Sequence, residues 1–514
     1  MSRPSAATRL MSDSGWNLAA FAISVLSNII ALPFAIAAIG LDQFGKAGLV
    51  LAAFAPFSVL GAILGQSLVR GLASSGVREE LPIGRRMITL AALWCAVGCV
   101  IVACLAVVIG PWALDRLEPQ SQLSPSYLWA LYAGYGAWFC QQWCFLAQGV
   151  LGGRQSFKKL ALANAAGGLV LAISIVVSCR LMGTAAGFLL GSAFGFAVQI
   201  ALLTGAVMRE APRLLIPNRW HASDVESLRG FFGWQGSAHF AGSVANQCDR
   251  YVLGATASAM VVGQYNIAMR VQEVIHMGVL KMGEVLLPHF SATASEPSAT
   301  RSIFFQRATW IVNVLSVAAL APLIPLGPAL IALWVDGDAA VLGGPMLQTL
   351  ATAGVLGSGI NVFTFFALGT GQAERLATIN LAHSLVLVVL AIPLILLIGP
   401  LAAGWAYVAG NLMRWCATFW FSLDHFGQDL RFGQLALASA SPWAAGLLVG
   451  WGLASLGSGS VTNWWALGLS YGGIGALIVA CAMLIAATTT DGRRWLLSLK
   501  QVGLERIQRQ GQGR

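Results

Sequence analysis

The sequence predicts an all-α membrane protein of about fourteen transmembrane helices. Two parallel six-helix repeats form N- and C-lobes around a central cavity, and two extra helices follow at the C-terminal end. Three observations predict this: the composition, the length of the apolar runs, and an internal duplication. Of 514 residues, 57% are hydrophobic and only 10% are charged, whereas a soluble domain carries ~25% charged residues. No soluble fold of this length hides so much apolar surface, so lipid must be the solvent for most of the chain. A bilayer core needs ~20 consecutive apolar residues per helix. A β-barrel would show short alternating segments, and this chain shows long continuous runs.

In order, the apolar segments are 16–39, 47–70, 87–113, 126–150, 160–180, 183–208, 230–254, 257–286, 307–335, 341–368, 377–398, 400–423, 436–456 and 464–488. The first is too long for a signal-peptide core and lacks a convincing cleavage site, so it reads as a helix of the mature protein. Residues 1–208 form the N-lobe and 209–229 a cytoplasmic linker. Residues 230–423 form the C-lobe, and 436–488 hold the two extra helices. Residues 489–514 form a tail in which Trp495, Leu496, Leu499, Val502 and Ile507 alternate with basic residues, the pattern of an interfacial amphipathic helix. Gly183, Gly187, Gly191 and Gly195 recur every four residues, which suits close helix packing.

Net charge is +10, but the basic residues sit in short loops, so they signal membrane topology and no nucleic acid. With the N-terminus in the cytoplasm, 23 of the 30 Lys and Arg residues fall on the cytoplasmic side. Four (Lys46, Arg116, Arg180 and Arg250) fall opposite, and three (Arg270, Lys281 and Arg414) fall within helices. Both termini are therefore expected in the cytoplasm. The nine cysteines all lie in apolar runs and form no CxxC, so they read as small interior residues. No His/Cys/carboxylate cluster has metal-ligand spacing, and no cofactor is expected.

The duplication is carried by spaced matches. Gly15-Trp16-Asn17 recurs as Gly233-Trp234-Gln235, Asn28 as Asn246, Gly45 as Gly263 and Gln66 as Glu284, all at an offset of 218. Gly110-Pro111 matches Gly327-Pro328 at 217, Asn164 matches Asn380 at 216, and Ala185-Ala186-Gly187 matches Ala402-Ala403-Gly404 at 217. Six helices separate the copies, so both share one orientation, and a substrate site would lie between them near the midplane.

Ionisable groups inside a membrane are costly and mark function. At ~100° per residue, Asn266, Arg270, Glu273, Lys281 and Glu284 share one face of segment 257–286. Gln235, His239, Ser243, Asn246 and Arg250 share one face of segment 230–254, with Asp249 at its edge. Asn17, Ser24 and Asn28 give a milder stripe, and Gln141, Gln148 and Arg414 add polar positions elsewhere. Arg270/Glu273 and Lys281/Glu284 have the spacing of internal ion pairs. As a set, Arg250, Arg270 and Lys281 suit an anion. His239 and His276 read as hydrogen-bonded interior residues. Arg270, Glu273 and Lys281 correspond to Ala52, Ala55 and Ile63 in the first copy, so the charged chemistry belongs to the second.

Asp249-Arg250-Tyr251-Val252-Leu253-Gly254, followed by Val262-Gly263-Gln264-Tyr265-Asn266-Ile267-Ala268, resembles a recurring pattern of the polysaccharide transporter family. These are the Wzx-type oligosaccharide flippases of the MOP superfamily. Gly40-Leu41-Asp42-Gln43-Phe44-Gly45 resembles the turn after that family's first helix. Helix count, repeat and length extend the resemblance over residues 10–490. It implies a non-enzymatic transporter of the bacterial inner membrane that moves undecaprenyl-pyrophosphate-linked oligosaccharide to the periplasmic leaflet by alternating access. Its partners would be the lipid-linked oligosaccharide, membrane lipids, and polysaccharide polymerase and export machinery. A pyrophosphate needs cationic partners out of bulk water, and Arg250, Arg270, Lys281 and Arg414 are available. Asn17, Asn28, Gln141, Gln148, Gln235, His239, Asn246 and Asn266 would line the cavity. Coupling to a proton or sodium gradient needs a carboxylate, for which Asp249, Glu273 and Glu284 are candidates. Two alternatives share the fold: a lipid II flippase, and a MATE-type multidrug antiporter, which would favour a more acidic cavity. A membrane glycan polymerase or glycosyltransferase generally needs a substantial domain outside the membrane, and the external loops here are short.

Overall fold

A computed structural model describes residues 6–74, 81–117, 125–219, 237–284, 286–456 and 461–488, and the described residues contain helices and no strand. Nine helical stretches among them are long and apolar enough to cross a membrane, and the chain is a multi-pass membrane protein of all-α fold. One stretch, Leu18–Leu72, runs for 55 residues. At 1.5 Å per residue that is roughly 80 Å, more than twice the hydrocarbon thickness. It holds two crossings, because α1 (Ala6–Phe54) breaks at Gly40, whose φ of 80° and ψ of 162° are essentially open to glycine alone. The expected turn after the first segment is thus the single residue Gly40, and helix resumes at Leu41.

Contacts divide the chain into two compact units, Met1–Asn266 and Ile267–Arg514. The first unit holds α1, α2 (Val59–Ser74), α3 (Leu81–Val108), α4 (Gly110–Leu117), α5 (Pro125–Gly153), α6 (Phe157–Met182) and α7 (Ala185–Glu210). It also holds α8 (Ser237–Ala245), α9 (Cys248–Thr256) and the start of α10 (Ala259–Gly283). Between α1 and α2, Pro56 sits in a 3₁₀ turn, Ala55–Ser58. The Gly61 N–H just beyond it donates to Gln142 Oε1 of α5 at 2.9 Å. Phe54, Leu64, Leu131, Trp138 and Leu189 lie in the buried core of this unit. Gly187, Gly191 and Gly195 of α7 leave no room for a β-carbon against α6, so three of the four spaced glycines serve close packing. The fourth, Gly183, instead caps α6 in the left-handed conformation at φ 63°.

Gly45 and Gly263, which the duplication equates, lie against each other in this unit. A β-carbon on Gly45 would strike the Ala259 carbonyl, and one on Gly263 would lie 2.6 Å from the Leu41 carbonyl oxygen. Beside them Gly48 leaves no space next to the Asn266 side chain.

The second unit continues α10 and adds α11 (Leu286–Ala292), α12 (Ser298–Leu320), α13 (Leu323–Trp334), α14 (Gly337–Gly357) and α15 (Ile360–Gly369). Then come α16 (Ala373–Ile398), α17 (Ala402–Phe426), α18 (Phe432–Ser455) and α19 (Trp464–Ala487). Several expected single helices are broken pairs: 230–254 at Asn246–Gln247, 307–335 at Ala321–Pro322, and 341–368 at Ser358–Gly359. Pro322 cannot donate a backbone hydrogen bond, which accounts for the second break. At the third, the Ser358 hydroxyl accepts from Trp443 Nε1 of α18 at 3.1 Å. One end of the unit is filled by Phe290, Phe305, Phe363, Phe366 and Phe426. Their rings meet edge-on or tilted, with Phe305–Phe366 centroids 5.1 Å apart, the arrangement that ring quadrupoles favour. The expected amphipathic tail lies outside the described residues.

Candidate functional site

In the first unit, the break before α9 places Asp249 in that helix's first turn, where backbone N–H groups lack intrahelical partners. Asp249 is 1% exposed. Its Oδ1 accepts from the Arg250 N–H at 2.7 Å, and its Oδ2 accepts from the Tyr265 hydroxyl of α10. The Arg250 side chain turns the other way. Its Nε donates to Asn266 Oδ1 at 2.8 Å and its Nη1 to the Asn246 carbonyl at 3.1 Å. The guanidinium lies 5.6 Å from the Tyr265 ring centroid and 3.8 Å from Asp249 Oδ1. Tyr251 donates to the Ala52 carbonyl at 2.8 Å and ties α9 to α1. Asp249, Arg250, Tyr265 and Asn266 therefore form one clamp that holds α9 on α10, with polar atoms satisfied by protein, as burial demands.

A second polar centre sits on Asn164 of α6. Its Oδ1 accepts from Gln148 Nε2 at 3.1 Å and from Gln199 Nε2 at 2.9 Å, and its carbonyl accepts from the Ser24 hydroxyl at 3.2 Å. Asn28 is half-buried and donates to the Ser24 carbonyl at 2.8 Å. Gln141 is half-buried on α5, while His239 and Asn246 are exposed. The sequence places His239 inside as a hydrogen-bonded residue; the structure leaves it exposed on α8. The Asn17 side chain and Gln235 lie outside the described residues.

The second unit carries the remaining cations. On α10, Arg270 and Glu273 are 3.9 Å apart and roughly half exposed. Lys281 and Glu284 meet at 2.5 Å. Exposed pairs of this kind contribute ~0–1 kcal/mol, so both cations can exchange partners at little cost. Arg414 differs. Its Nη2 donates to Asn380 Oδ1 at 2.8 Å, its Nε is buried with no hydrogen-bond partner, and no carboxylate among the described residues pairs with it. His276 of α10 and His383 of α16 both lie within its electrostatic reach. Asn164, Gln199, Asn380, His383 and Asn411 are not singled out as site residues from the sequence. The available signal was the repeat, since Asn164 and Asn380 are equivalent and each accepts a long polar side chain from the helix that ends its own repeat.

No protein-family model and no curated protein sequence matches the chain. Solved structures do match. The lipid II flippase MurJ in an inward closed conformation matches at a TM-score of 0.69 and 12% identity, over 93% of this chain and 99% of that one. An inward-facing multidrug-resistance MATE transporter of the MOP superfamily matches at 0.68 and 13%, over 78% and 95%. A MOP-superfamily transporter from Pyrococcus furiosus, whose binding pocket has reversed polarity that suggests a different function, matches at 0.53 and 14%, over 80% and 96%. The chain shares its fold with MOP-superfamily transporters. At these identities the likeness speaks of fold, and the chemistry rests on this chain's own side chains.

Proposed function

We propose that the protein is a flippase that carries an undecaprenyl-pyrophosphate-linked oligosaccharide from the cytoplasmic to the periplasmic leaflet of the inner membrane by alternating access. Arg414 carries this reading. It is a cation within the helical bundle, with a buried nitrogen and no carboxylate partner among the described residues. Such a charge calls for an anion from outside the protein. A diesterified pyrophosphate supplies two negative charges, and Arg270 and Lys281 can add weakly paired cations. A cationic drug would be repelled by such a set, which weighs against the MATE-type antiporter.

A lipid II flippase is the second reading, favoured by the MurJ likeness along nearly the whole chain. Both cargoes share the pyrophosphate anchor. Both termini would be cytoplasmic, and polymerase and export machinery would receive the product. Asp249, Glu273 and Glu284 remain candidates for ion coupling; Glu273 and Glu284 sit in half-exposed pairs and Asp249 in the buried clamp.

The test is a deletion strain whose lipid-linked glycans are identified by mass spectrometry. Accumulated undecaprenyl-pyrophosphate repeat units with lost surface polysaccharide, unrescued by Arg414→Ala, support the reading. Accumulated lipid II supports the second. Normal glycans with raised drug sensitivity move the protein to the antiporter class.

A further inference from the structure

In the second unit, α16 and α17 run antiparallel across the short turn Gly399–Leu401 and face each other through two polar rungs. Asn380 and His383 are three residues apart on α16, and Asn411 and Arg414 are three apart on α17, so each pair shares a helix face. One rung is the Arg414–Asn380 hydrogen bond. In the other, the His383 ring lies against Gly410 and interacts with Asn411, whose Nδ2 is held by the Ala353 carbonyl at 2.8 Å. His383 is only 8% exposed, and its Nε2 has no hydrogen-bond partner. Arg414 Nε is buried without one as well. Two unsatisfied nitrogens thus belong to adjacent rungs, one of them on a cation with which no carboxylate among the described residues pairs.

We propose that this face binds the diphosphate of the cargo and that binding takes up one proton on His383. With the site empty, the Arg414 guanidinium of the first rung is the positive charge beside the His383 ring. An arriving oxyanion cancels that field and offers an acceptor. A proton from water then occupies Nε2, and the new N–H donates to the anion; no other bond is made or broken. By reciprocity, protonation of His383 tightens anion binding by the same factor that the anion favours protonation. The identity of the anion rests on the cargo reading above; the site and its proton do not.

The charged surroundings support the assignment. α16 packs on α17 and α15. α15 has no titratable side chain, and α17 contributes Arg414, the half-buried Tyr407 one turn before Asn411, and the exposed Cys416, with Asp424 and His425 at its far end. Glu374 and Arg375 lie at the start of α16, and Arg375 pairs with Asp424 at 3.4 Å. From α10, His276 lies within the electrostatic reach of Arg414, and it is the competing proton acceptor.

The experiment is titration calorimetry on the purified full chain in buffers of different ionisation enthalpy. The probes are a ten-carbon isoprenyl diphosphoryl-N-acetylglucosamine and inorganic sulfate, neither of which titrates near neutrality. Wild type is expected to bind the isoprenyl probe about tenfold more tightly near about pH 6 than near about pH 8, with close to one proton taken up. His383→Gln should bind with no pH dependence and no uptake, His276→Gln should retain both, and Arg414→Gln should lose about tenfold or more at either pH. Monodisperse elution and an unchanged helical spectrum show that each variant is folded. Uptake that survives His383→Gln, or disappears in His276→Gln, overturns the assignment of the proton. Binding unaffected by Arg414→Gln, or no binding of either probe, overturns the site. Sulfate binding with His383-dependent uptake, but none of the isoprenyl probe, upholds the site and overturns the cargo reading instead.

Discussion

Gln142 is fully buried and uses its amide on two helices at once, accepting from the Gly61 N–H and donating to the Trp138 carbonyl at 3.2 Å. In lipid such a backbone group has no water to turn to. Gln142→Leu leaves the Gly61 N–H without that acceptor and should destabilise the protein by about 1–3 kcal/mol, read as a lowered midpoint of thermal unfolding in detergent. Tyr265→Phe should have an effect of the same order, because Asp249 Oδ2 loses its hydroxyl donor deep in the clamp. Asp249→Asn should partly spare the second variant, since an amide oxygen desolvates more cheaply than a carboxylate; the double variant, compared with the two singles, measures the coupling. These roles were only partly legible in sequence. Asp249 and Arg250 stood out because they are charged and embedded, but their spacing on an assumed continuous helix could not reveal that they serve a break. Gln142 was passed over because one amide in an apolar run carries no signal of what it satisfies.

At the scale of the helix, hydropathy located the apolar segments well and their interruptions poorly. An apolar run looks the same whether the helix within it is continuous or broken. The break at Asn246–Gln247 interrupts the helix on which Gln235, His239, Ser243, Asn246 and Arg250 were to form one stripe, so the described part of that stripe does not persist along a single element. Gly40 is the opposite case: one residue turns the chain between two crossings. Gly40→Ala should cost about 1–3 kcal/mol from backbone strain alone, with open space around the new methyl group. The Gly45–Gly263 contact is sensitive for a different reason. Gly263→Leu drives a side chain into the Leu41 carbonyl and should cost at least the ~1–3 kcal/mol of overpacking. Gly205→Leu, where nothing lies within 4 Å of a β-carbon, is the control, and both are read by thermal unfolding.

For the molecule as a whole, the duplication was the most informative part of the sequence. Its equivalent positions reappear as working parts: Gly45 meets Gly263 in the first unit, and Asn164 and Asn380 each anchor a polar centre in their own unit. The two centres then diverge. The first is neutral amide chemistry, and the second holds Arg414 and two histidines. Composition and periodicity could say that lipid surrounds the chain; they could not name the cargo, because a cation records the sign of its ligand and little of the ligand's identity. The most direct measurement is transport by the purified protein in proteoliposomes loaded with fluorescent lipid-linked oligosaccharide, scored by accessibility of the glycan to a membrane-impermeant oxidant. The account predicts that label in the protected leaflet becomes accessible at a rate dependent on the protein and lowered about tenfold or more by Arg414→Gln. A rate equal to that of protein-free vesicles, or one indifferent to Arg414, would contradict it.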